Sequence, residues 1–523
     1  MEIELKLALE PDAVALLRRH PLLAHYRQRR PRSAWLENRY FDTPALDLHR
    51  QGLELRLRRE GARCVQTLKV LRGPRGKKGA KGTKGAKGPG GSNAAGGLHR
   101  REEWDVELGA PALDIAALLA VLPAQAAAAG RQLQAFAAAG QLECRVTTRY
   151  RRTTWQLVSA GGDEVELVLD IGSVHAGGQV LPLCEVELEL KAGEERSLFE
   201  LAAALHADLP LRPEARGKAE RGFALLAPLG VATASAPRHA RPMRIKRTMT
   251  WADALQAIIE ECLQHMQNNE AGVVGSADVE HVHQMRVGLR RLRSALGLFK
   301  RFAAVPAALR EDLRWLADQL GQARDAEVLA HETLARVQLP AAGQIGWSAL
   351  RSAAIAEAEA ARRAAVQAVL SRRHAGWPLA LRAWVLGLRA QDADERLRTF
   401  AQRELHRLWV RLKKRGERLV GANSATRHDT RIAAKKLRYA SEMLGAVRAR
   451  RAPRPALRAL AALQQELGVL NDAEVAKVRL ARLAAATAVL APAAAYAQGW
   501  ITADAERRVR ALGKLWLRVR GSR

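Results

Sequence analysis

The sequence predicts an α+β chain of two domains, with a β-rich N-terminal half and an all-α C-terminal half. Its 523 residues exceed what one hydrophobic core usually serves. Segments of the first 230 residues alternate between apolar and polar residues, which is the period of half-buried strands. Beyond about residue 244 the apolar residues follow the helical period, and a basic motif occurs twice. The repeated motif predicts a pair of duplicated helical bundles.

The charge of the chain is unusual and unevenly distributed. The net charge is +31 at pH 7, while the hydrophobic content of 48% is ordinary for a globular protein. Residues 1–230 hold 34 basic and 28 acidic residues, and residues 231–523 hold 51 and 26. Such an excess implies an anionic partner, which the charge alone leaves open between nucleic acid, a membrane surface and polyphosphate.

Several classes of protein are excluded by the cysteines and by the hydropathy. The four cysteines are scattered without a CxxC pair, which argues against a disulfide scaffold or a zinc ribbon. The acidic, alternating start is unlike a signal peptide, and no apolar run of about 18 residues lacks a charge. We therefore expect no membrane insertion and a cytoplasmic location.

Period-two alternation marks the strands of the N-terminal domain, which we place at residues 1–227. The polar face of these strands carries charges of both signs, which predicts that several of them line the inside of a barrel. Strands are predicted at residues 2–6, 53–59, 101–108, 164–169 and 185–191, and helices near residues 11–20, 112–121 and 197–206.

Two segments have the composition of connections. Residues 73–97 are rich in glycine and lysine and predict a flexible basic loop, which either attracts a polyanion or is a tolerated insertion. Residues 228–243, with three prolines, predict a linker to the helical domain.

Carboxylates on one strand face indicate a metal site. Glu2, Glu4 and Lys6 share a face by parity, and two carboxylates cannot be buried there without a partner. A hard divalent cation such as Mg²⁺ or Mn²⁺ prefers oxygen ligands and would satisfy them. A second acidic row follows late in the domain, at Glu185, Glu187 and Glu189.

Basic residues occupy other strands of the same domain. Arg56 and Arg58 share a face, Lys69 follows in the next strand, and Arg149 and Arg151 share another face. Taken singly, each acidic or basic pair is more often a solvated strand face or a cross-strand ion pair than part of a site. Together, acids opposite bases favour a chamber for a metal-bound phosphate chain.

This half resembles the CYTH family of triphosphate tunnel metalloenzymes over nearly all of residues 1–225. Residues 2–6, Glu-Ile-Glu-Leu-Lys, match the ExExK signature of that family. The resemblance implies a closed antiparallel β-tunnel with outer helices, and hydrolysis of inorganic or thiamine triphosphate or cyclisation of ATP. Other matching segments are residues 40–44, 53–59, 66–69, 97–103, 152–155, 166–170, 184–191 and 218–222.

The resemblance also implies roles for individual residues. It assigns metal binding to Glu2, Glu4, Glu185 and Glu187, with Asp170 as a further candidate. It assigns triphosphate binding to Lys6, Arg56, Arg58, Lys69, Arg152, Lys218 and Arg221, of which the first four are the expected catalytic residues. Family matching selects Arg152, whereas strand parity groups Arg149 with Arg151, and a β-bulge would reconcile the two.

The helical domain, residues 244–515, contains an internal duplication. The His-x-x-Arg motif that begins at His283 recurs 145 residues later at His428, and the segment of residues 320–328 recurs at residues 467–475. At 100° per residue, each motif aligns its basic side chains on one arc beside an apolar stripe. The aligned residues are His283, Arg286, Arg290 and Arg293 in the first copy and His428, Arg431, Lys435 and Arg438 in the second.

Repetition of this arrangement favours anion binding over a merely solvated basic face. Like charges at helical spacing repel, and a bridging phosphate chain removes that cost. Nucleic acid is the less favoured anion because aromatic residues make up only 4% of the chain. His283 alone would read equally as a capping or core histidine. These residues resemble the CHAD family of conserved-histidine α-helical domains, and the resemblance implies that the eight residues bind inorganic polyphosphate.

The sequence thus predicts a metal-dependent triphosphatase fused to a polyphosphate-binding domain. Tandem CYTH and CHAD domains resemble bacterial inorganic triphosphatases, which makes inorganic triphosphate the first expected substrate. In-line attack of water on a terminal phosphorus is the expected reaction, with polyphosphate granules a site of association. The alternatives are a thiamine triphosphatase, a class IV-type adenylate cyclase and a non-catalytic polyphosphate-binding scaffold.

Overall fold

A computed structural model describes residues 2–70, 95–226, 236–339, 345–391, 395–419, 421–447 and 454–521. Most of the predicted Gly/Lys-rich loop, residues 73–94, lies outside these ranges, as do residues 228–235 of the predicted linker. The chain forms two compact units. The tunnel unit comprises Met1–Thr233 and Ala375–Gly387, and the helical unit comprises Ala234–His374 and Leu388–Arg523.

The tunnel unit is a closed antiparallel barrel, as predicted. Its strands follow the order β5-β4-β3-β2-β6-β7-β8-β1, and pairing of β1 with β5 closes the ring. The short strand β9 extends the same edge of β1 beyond β5. The strands are β1 (Glu2–Ala8), β2 (Arg32–Asp42), β3 (Leu53–Glu60), β4 (Arg63–Val70), β5 (Leu98–Leu108), β6 (Glu143–Val158), β7 (Glu164–Ala176), β8 (Gln179–Ala192) and β9 (Arg212–Pro213).

Seven helices belong to the described part of the first 226 residues and pack mainly on the outside of the barrel. Outward leucines of β1, β7 and β8 form one apolar core with α1, α2 and α6, and those of β3 and β4 form another with α3, α4 and α5. Helix α7 packs instead on inward-facing residues of β6 and β7. The helices are α1 (Val14–Arg18), α2 (Pro21–Tyr26), α3 (Asp47–Gln51), α4 (Ile115–Val121), α5 (Ala127–Ala138), α6 (Arg196–Asp208) and α7 (Lys218–Leu225).

The rest of the described chain is helical, with two duplicated bundles as predicted. The helices are α8 (Trp251–Gly275), α9 (Glu280–Leu298), α10 (Ala307–Glu327), α11 (Leu334–Arg336), α12 (Trp347–Leu370), α13 (Arg372–Leu386), α14 (Leu397–Gly416), α15 (Ser424–Leu444), α16 (Arg454–Ala486) and α17 (Ala491–Gly521). Helix α8 packs along α9, and α14 packs along α15 in the same way. Helices α9 and α15, which carry the two copies of the basic motif, contact each other.

Local sequence explains where these helices begin. Thr250 and Asp253 form a reciprocal capping box at α8, with each side chain accepting a hydrogen bond from the backbone N–H of the other residue. Asn423 caps α15, since its Oδ1 accepts from the backbone N–H of Thr426 at 2.9 Å. None of the helices in the described ranges is long and apolar enough to cross a membrane.

Candidate functional site

Alternation along β1 separates the tunnel interior from the core outside it. Leu5 and Leu7 pack into the apolar core beneath the outer helices, and both are fully buried. Glu4 and Lys6 point into the tunnel and are also buried, with about one twentieth of their surface exposed. Because both faces of the strand are buried, its polar residues must find partners inside the barrel.

Three buried carboxylates meet on the wall formed by β7 and β8. Asp170 pairs in register with Glu185, and Glu187 lies two residues farther along β8. One carboxylate oxygen from each residue lies within 4.8 Å of the others, a spacing that fits ligands of one metal ion. The set offers oxygen atoms only, which suits a hard divalent cation. The structure therefore joins three of the five carboxylates that the sequence assigns to metal.

Four basic side chains surround this acidic triad. Lys218 Nζ lies 2.8 Å from Asp170 Oδ2 and 3.0 Å from Glu187 Oε1, and it also contacts Glu185. Arg152 donates two hydrogen bonds to Asp170, at 2.8 and 2.6 Å, and one to Glu187 at 2.7 Å. The remaining two contacts are those of Lys6 with Glu187 and Arg221 with Glu185.

These contacts keep Asp170 and Glu187 ionised. Burial alone would raise the pKa of Asp170, but Arg152 and Lys218 outweigh it and lower that pKa. Burial likewise opposes ionisation of Glu187, and Lys218, Lys6 and Arg152 hold its pKa well below the usual range. A metal ion requires carboxylate ligands in this charged form.

The other two predicted metal ligands are not members of the triad. Glu4 Oε1 is 3.1 Å from Lys6 Nζ, which also contacts Glu187 of the triad. Glu2 lies beside Lys69 and Glu103, and burial raises the pKa of Glu2 to about 8. Of the five predicted carboxylates, Asp170, Glu185 and Glu187 are the ones that meet closely enough for one ion.

The opposite wall of the tunnel is basic and is held by hydrogen bonds. Arg56 donates to Thr67 Oγ1 at 3.0 Å, and Arg58 donates to Asn38 Oδ1 at 3.0 Å. Lys69 contacts Glu103 on the next strand. One cavity is lined by eight of the predicted site residues: Glu4, Lys6, Arg56, Arg58, Lys69, Arg152, Glu187 and Lys218. Asp170, Glu185 and Arg221 are buried beside this lining.

The tunnel contains functional candidates that the sequence reasoning missed. Glu54 shares the inward parity of Arg56 and Arg58, so the alternation of β3 would have found it. Glu103 shows the same kind of signal on β5. Asn38 and Tyr150, which contact each other at 3.0 Å, gave no signal because neutral polar residues do not stand out in a strand.

The structure corrects the prediction that Arg149 and Arg151 belong to the chamber. Both are exposed on the outer face of β6, where Arg149 donates to Glu37 at 2.9 Å. Arg152 has the inward parity and enters the tunnel without a bulge, because the β6–β7 register runs unbroken from Thr147 to Val158. Parity therefore grouped the two arginines correctly but placed them on the wrong side of the sheet.

In the helical unit, the two copies of the basic motif form one cluster. Arg286 and Arg290 of α9 lie near Arg431 and Lys435 of α15, and we name these four residues the central cluster. The nearest acids come from the second repeated segment. Arg286 Nη1 lies 3.3 Å from Asp325 Oδ1, and Asp472 is the corresponding residue of the other copy.

Burial and mutual repulsion both act on the central cluster. Burial, followed by the charges of Arg431, Arg290 and Arg286, lowers the pKa of Lys435 to about 7. Asp472 acts in the opposite direction but is the weakest of these influences.

The remaining residues of the two motifs are less alike than their sequences. Burial, followed by Arg324, lowers the pKa of His283 to about 4, so this imidazole is neutral at pH 7. His428 is exposed, and its Nδ1 lies 3.1 Å from Asn471 Oδ1. Arg293 is exposed. Arg438 lies over the Tyr439 ring, and its Nε is 3.3 Å from Glu442 Oε1.

Sequence comparison finds two domain families along the chain. The CYTH domain matches residues 1–223, and the CHAD domain matches residues 257–481. A protein of Haemophilus influenzae named inorganic triphosphatase is 28% identical over 224 residues, which are 43% of this chain and 54% of that protein. The chain thus spans about half the length of this relative.

Solved structures match each half separately. The crystal structure of the CHAD domain from the plant Ricinus communis is 37% identical, with a TM-score of 0.51, over 55% of this chain and 98% of that one. A putative adenylyl cyclase from Hippeastrum, described as having a dominant triphosphatase activity, is 22% identical with a TM-score of 0.29. The match covers 43% of this chain and 96% of the Hippeastrum chain. A likeness this low has no bearing on function.

Proposed function

The chain belongs to the CHAD family and carries an N-terminal CYTH domain, and from this premise we propose that its tunnel unit hydrolyses inorganic triphosphate with a divalent metal ion. One observation carries the proposal. A buried carboxylate triad and a wall of arginine and lysine side chains occupy opposite sides of the same tunnel. The relative named inorganic triphosphatase supports the choice of substrate.

Asp170, Glu185 and Glu187 are the residues that would hold Mg²⁺ or Mn²⁺, with Glu2 and Glu4 as further ligands. Their oxygen-only donor set and their spacing fit such an ion. When bound, the ion would neutralise phosphate charge and polarise the phosphoanhydride bond.

The basic residues of the chain would bind and orient the substrate. Lys6, Arg56, Arg58 and Lys69 face the cavity and would hold the phosphate oxygens while water attacks the terminal phosphorus in line. Arg152 and Lys218 would stabilise the charge that develops on the departing diphosphate. Arg221 contacts Glu185 and would act by holding that carboxylate in place.

Phosphate release separates this function from its alternatives. We would measure release from triphosphate, thiamine triphosphate and ATP, with Mg²⁺, with Mn²⁺ and with a chelator. Triphosphate should be the best substrate, and Arg56→Ala should lower kcat/KM at least about 100-fold, since it removes a charged hydrogen-bond donor to the transition state. The outward-facing Arg149→Ala is the control. Absence of metal-dependent turnover would reject the enzyme and leave the polyphosphate-binding scaffold.

For the helical unit we propose binding of inorganic polyphosphate at the central cluster, with the two motif histidines beside it. The meeting of four basic side chains from both copies of the motif supports this proposal, and the lowered pKa of Lys435 agrees with it, because burial and the neighbouring positive charges disfavour its charged form. Combined His283→Ala and Arg290→Ala substitutions should weaken polyphosphate binding by the full chain about 10-fold. Arg363→Ala, on an exposed part of α12, is the control. Equal affinities would place the binding site elsewhere.

A further inference from the structure

Lys435 and Lys436 are adjacent in α15 but face different surroundings. Consecutive helical residues differ by about 100° in direction. Lys435 belongs to the central cluster, whereas Lys436 is exposed on the side where α14 packs. Burial and the charges of Arg411, Arg415, Lys300 and Arg407 lower the pKa of Lys436. These five residues form a second group of positive charges, which we name the α14 basic face.

Helix α14 presents this face as a regular row. Arg407, Arg411 and Arg415 are spaced four residues apart, so they follow one side of the helix at steps of about 6 Å. Seven basic residues and one acidic residue lie within α14. The opposite side of the helix is apolar and buried, with Phe400, Leu405, Leu408 and Leu412 among its residues.

The duplicated partner of α14 has the opposite charge. Helix α8 packs on α9 as α14 packs on α15, yet α8 contains four acidic residues and neither lysine nor arginine. The fold of the repeat therefore does not require a basic helix at this place. The charge of α14 is a property of the second repeat alone, which favours a ligand over a structural role.

The α14 basic face is only partly neutralised by the protein. Arg407 pairs with Glu404 at 2.6 Å, and Arg415 pairs with Asp429 at 3.2 Å. Within the described ranges, no acidic residue forms an ion pair with Lys300, Arg411 or Lys436. Like charges held together in this way destabilise the helices, a cost that an anion would remove.

We propose that the α14 basic face is a second binding surface for inorganic polyphosphate, so that a long chain occupies it together with the central cluster. Charge complementarity argues for a polyanion. None of the five positions is aromatic, so the face offers no platform for stacked bases and suits a bare phosphate chain better than nucleic acid. Lys435 of the central cluster and Lys436 of the α14 basic face are neighbours in α15, so one continuous phosphate chain can reach both surfaces. The proposal rests on polyphosphate binding at the central cluster.

The test compares chain lengths in the full-length protein, with a chelator present to prevent hydrolysis. The variant combines Arg411→Gln and Lys436→Gln, and the control combines Arg363→Gln of α12 and Lys514→Gln of α17, two exposed residues on other helices. Affinity for chains of about 100 phosphates should fall about 10-fold in the variant only, because linked sites raise each other's effective concentration. Affinity for chains of about 10 phosphates should change less than about 2-fold.

Three results would overturn the proposal. Unchanged long-chain affinity in the variant would exclude the surface. Loss of polyuridine binding without loss of polyphosphate binding would assign the surface to nucleic acid. An equal loss in the control would show a nonspecific charge effect. Short-chain affinity tests the central cluster separately. If Arg290→Ala leaves short-chain affinity intact, the central cluster assignment fails. If the variant with Arg411→Gln and Lys436→Gln loses affinity for long chains alone, the loss concerns the α14 basic face.

Discussion

Asn38 connects three inward-facing side chains of the tunnel. Its Oδ1 accepts a hydrogen bond from Arg58, and its Nδ2 donates to Thr148 and to Tyr150, each at 3.0 Å. The side chain is fully buried, so none of these bonds is replaced by water. Asn38 is thus a positioning residue that fixes the direction of the Arg58 guanidinium, which lines the proposed substrate cavity.

We predict that Asn38→Ala weakens both the fold and the use of triphosphate. The substitution leaves the Arg58 Nε–H without its acceptor and the Thr148 and Tyr150 hydroxyls without their donor, which costs about 1 to 3 kcal/mol in free energy of unfolding. KM for triphosphate should rise more than kcat falls, since Arg58 loses its orientation but not its charge. Denaturant unfolding and steady-state kinetics measure the two effects. The neighbouring outward residue supplies the control, Arg39→Ala, and equal behaviour of the two variants would contradict the positioning role.

Lys435 predicts a pH dependence of polyphosphate binding. Its pKa is lowered to about 7, and the polyanion prefers the protonated form, so binding above pH 7 requires uptake of a proton. Affinity should therefore fall as pH rises from 7 to 9, by at most about 10-fold per unit from this group. Below pH 6 the lysine is already charged in the free protein, and its contribution should be flat.

Lys435→Arg is the variant that tests this origin. Arginine keeps its charge throughout the range, so the fall above pH 7 should become shallower. Titration of the phosphate chain itself is common to both proteins and cancels in the comparison. Identical pH profiles for the two proteins would contradict a titrating lysine at this position.

At the scale of residues, the alternation of side chains along the strands predicted most of the residues that line the tunnel. The inward positions of Glu4, Lys6 and Arg56 follow from alternation within a single strand. Lys218 and Arg221 belong to a short helix, where no period points into the barrel, so only the family resemblance indicated them. The contacts of Asn38 depend on three strands at once and leave no trace in one segment.

Among the helices, the junction that follows α10 contains a buried carboxylate, that of Glu327. Glu327 ends α10 and is 3% exposed, and neither of its oxygens accepts a hydrogen bond from the described residues. Arg362 is 3.8 Å away. Burial raises the pKa of Glu327 to about 7. The next six residues, Val328–Thr333, form a π-helix, a geometry that is rare in proteins.

We predict that Glu327→Gln stabilises the protein at pH 8 and not at pH 4.5. Because the folded pKa lies above the unfolded value, the native state loses stability as pH rises from about 4.5 to 7. Neutral glutamine avoids this loss, which we expect to be about 1 to 2 kcal/mol at pH 8. Thermal unfolding at both pH values measures it, with the exposed Glu359→Gln as control. A gain of equal size at both pH values would point to a different cause.

Regularity of the pattern decided which elements the sequence could predict. Strands β1, β3, β5, β7 and β8 and the helices of the duplicated bundles show their period and were predicted, whereas β2, with 11 residues, was not among the predicted strands. Helices α3 and α7 have five and eight residues and carry too few turns for a period to emerge. Their positions depend on packing against the barrel.

In the whole molecule, the tunnel unit depends on a distant part of the chain. Residues 375–387 belong to it, and Leu379 is fully buried in the core that contains Phe199 and Leu205. No change in composition or period marks this segment, so the sequence reading placed the N-terminal domain at residues 1–227 alone. Long-range packing of this kind cannot be inferred from local patterns.

We predict that Leu379→Ala lowers the stability of the tunnel unit. Truncation of a buried leucine costs about 2 to 5 kcal/mol. The loss should appear in the hydrogen-exchange signal of the backbone amides of β1 and β8, whose residues belong to the same core. Leu370→Ala, at a partly exposed position, is the control. If Leu379→Ala leaves that signal unchanged, residues 375–387 do not stabilise the barrel.

The closed ring of strands also determines where this protein tolerates insertions and deletions. A one-residue insertion within β1 would turn Glu4 and Lys6 outward and Leu5 and Leu7 inward, because side chains alternate along a strand. In a ring, no free edge exists where a shifted strand could be accommodated. Changes in chain length are therefore confined to the connections. The Gly/Lys-rich segment falls between β4 and β5, where added residues alter no register on either side.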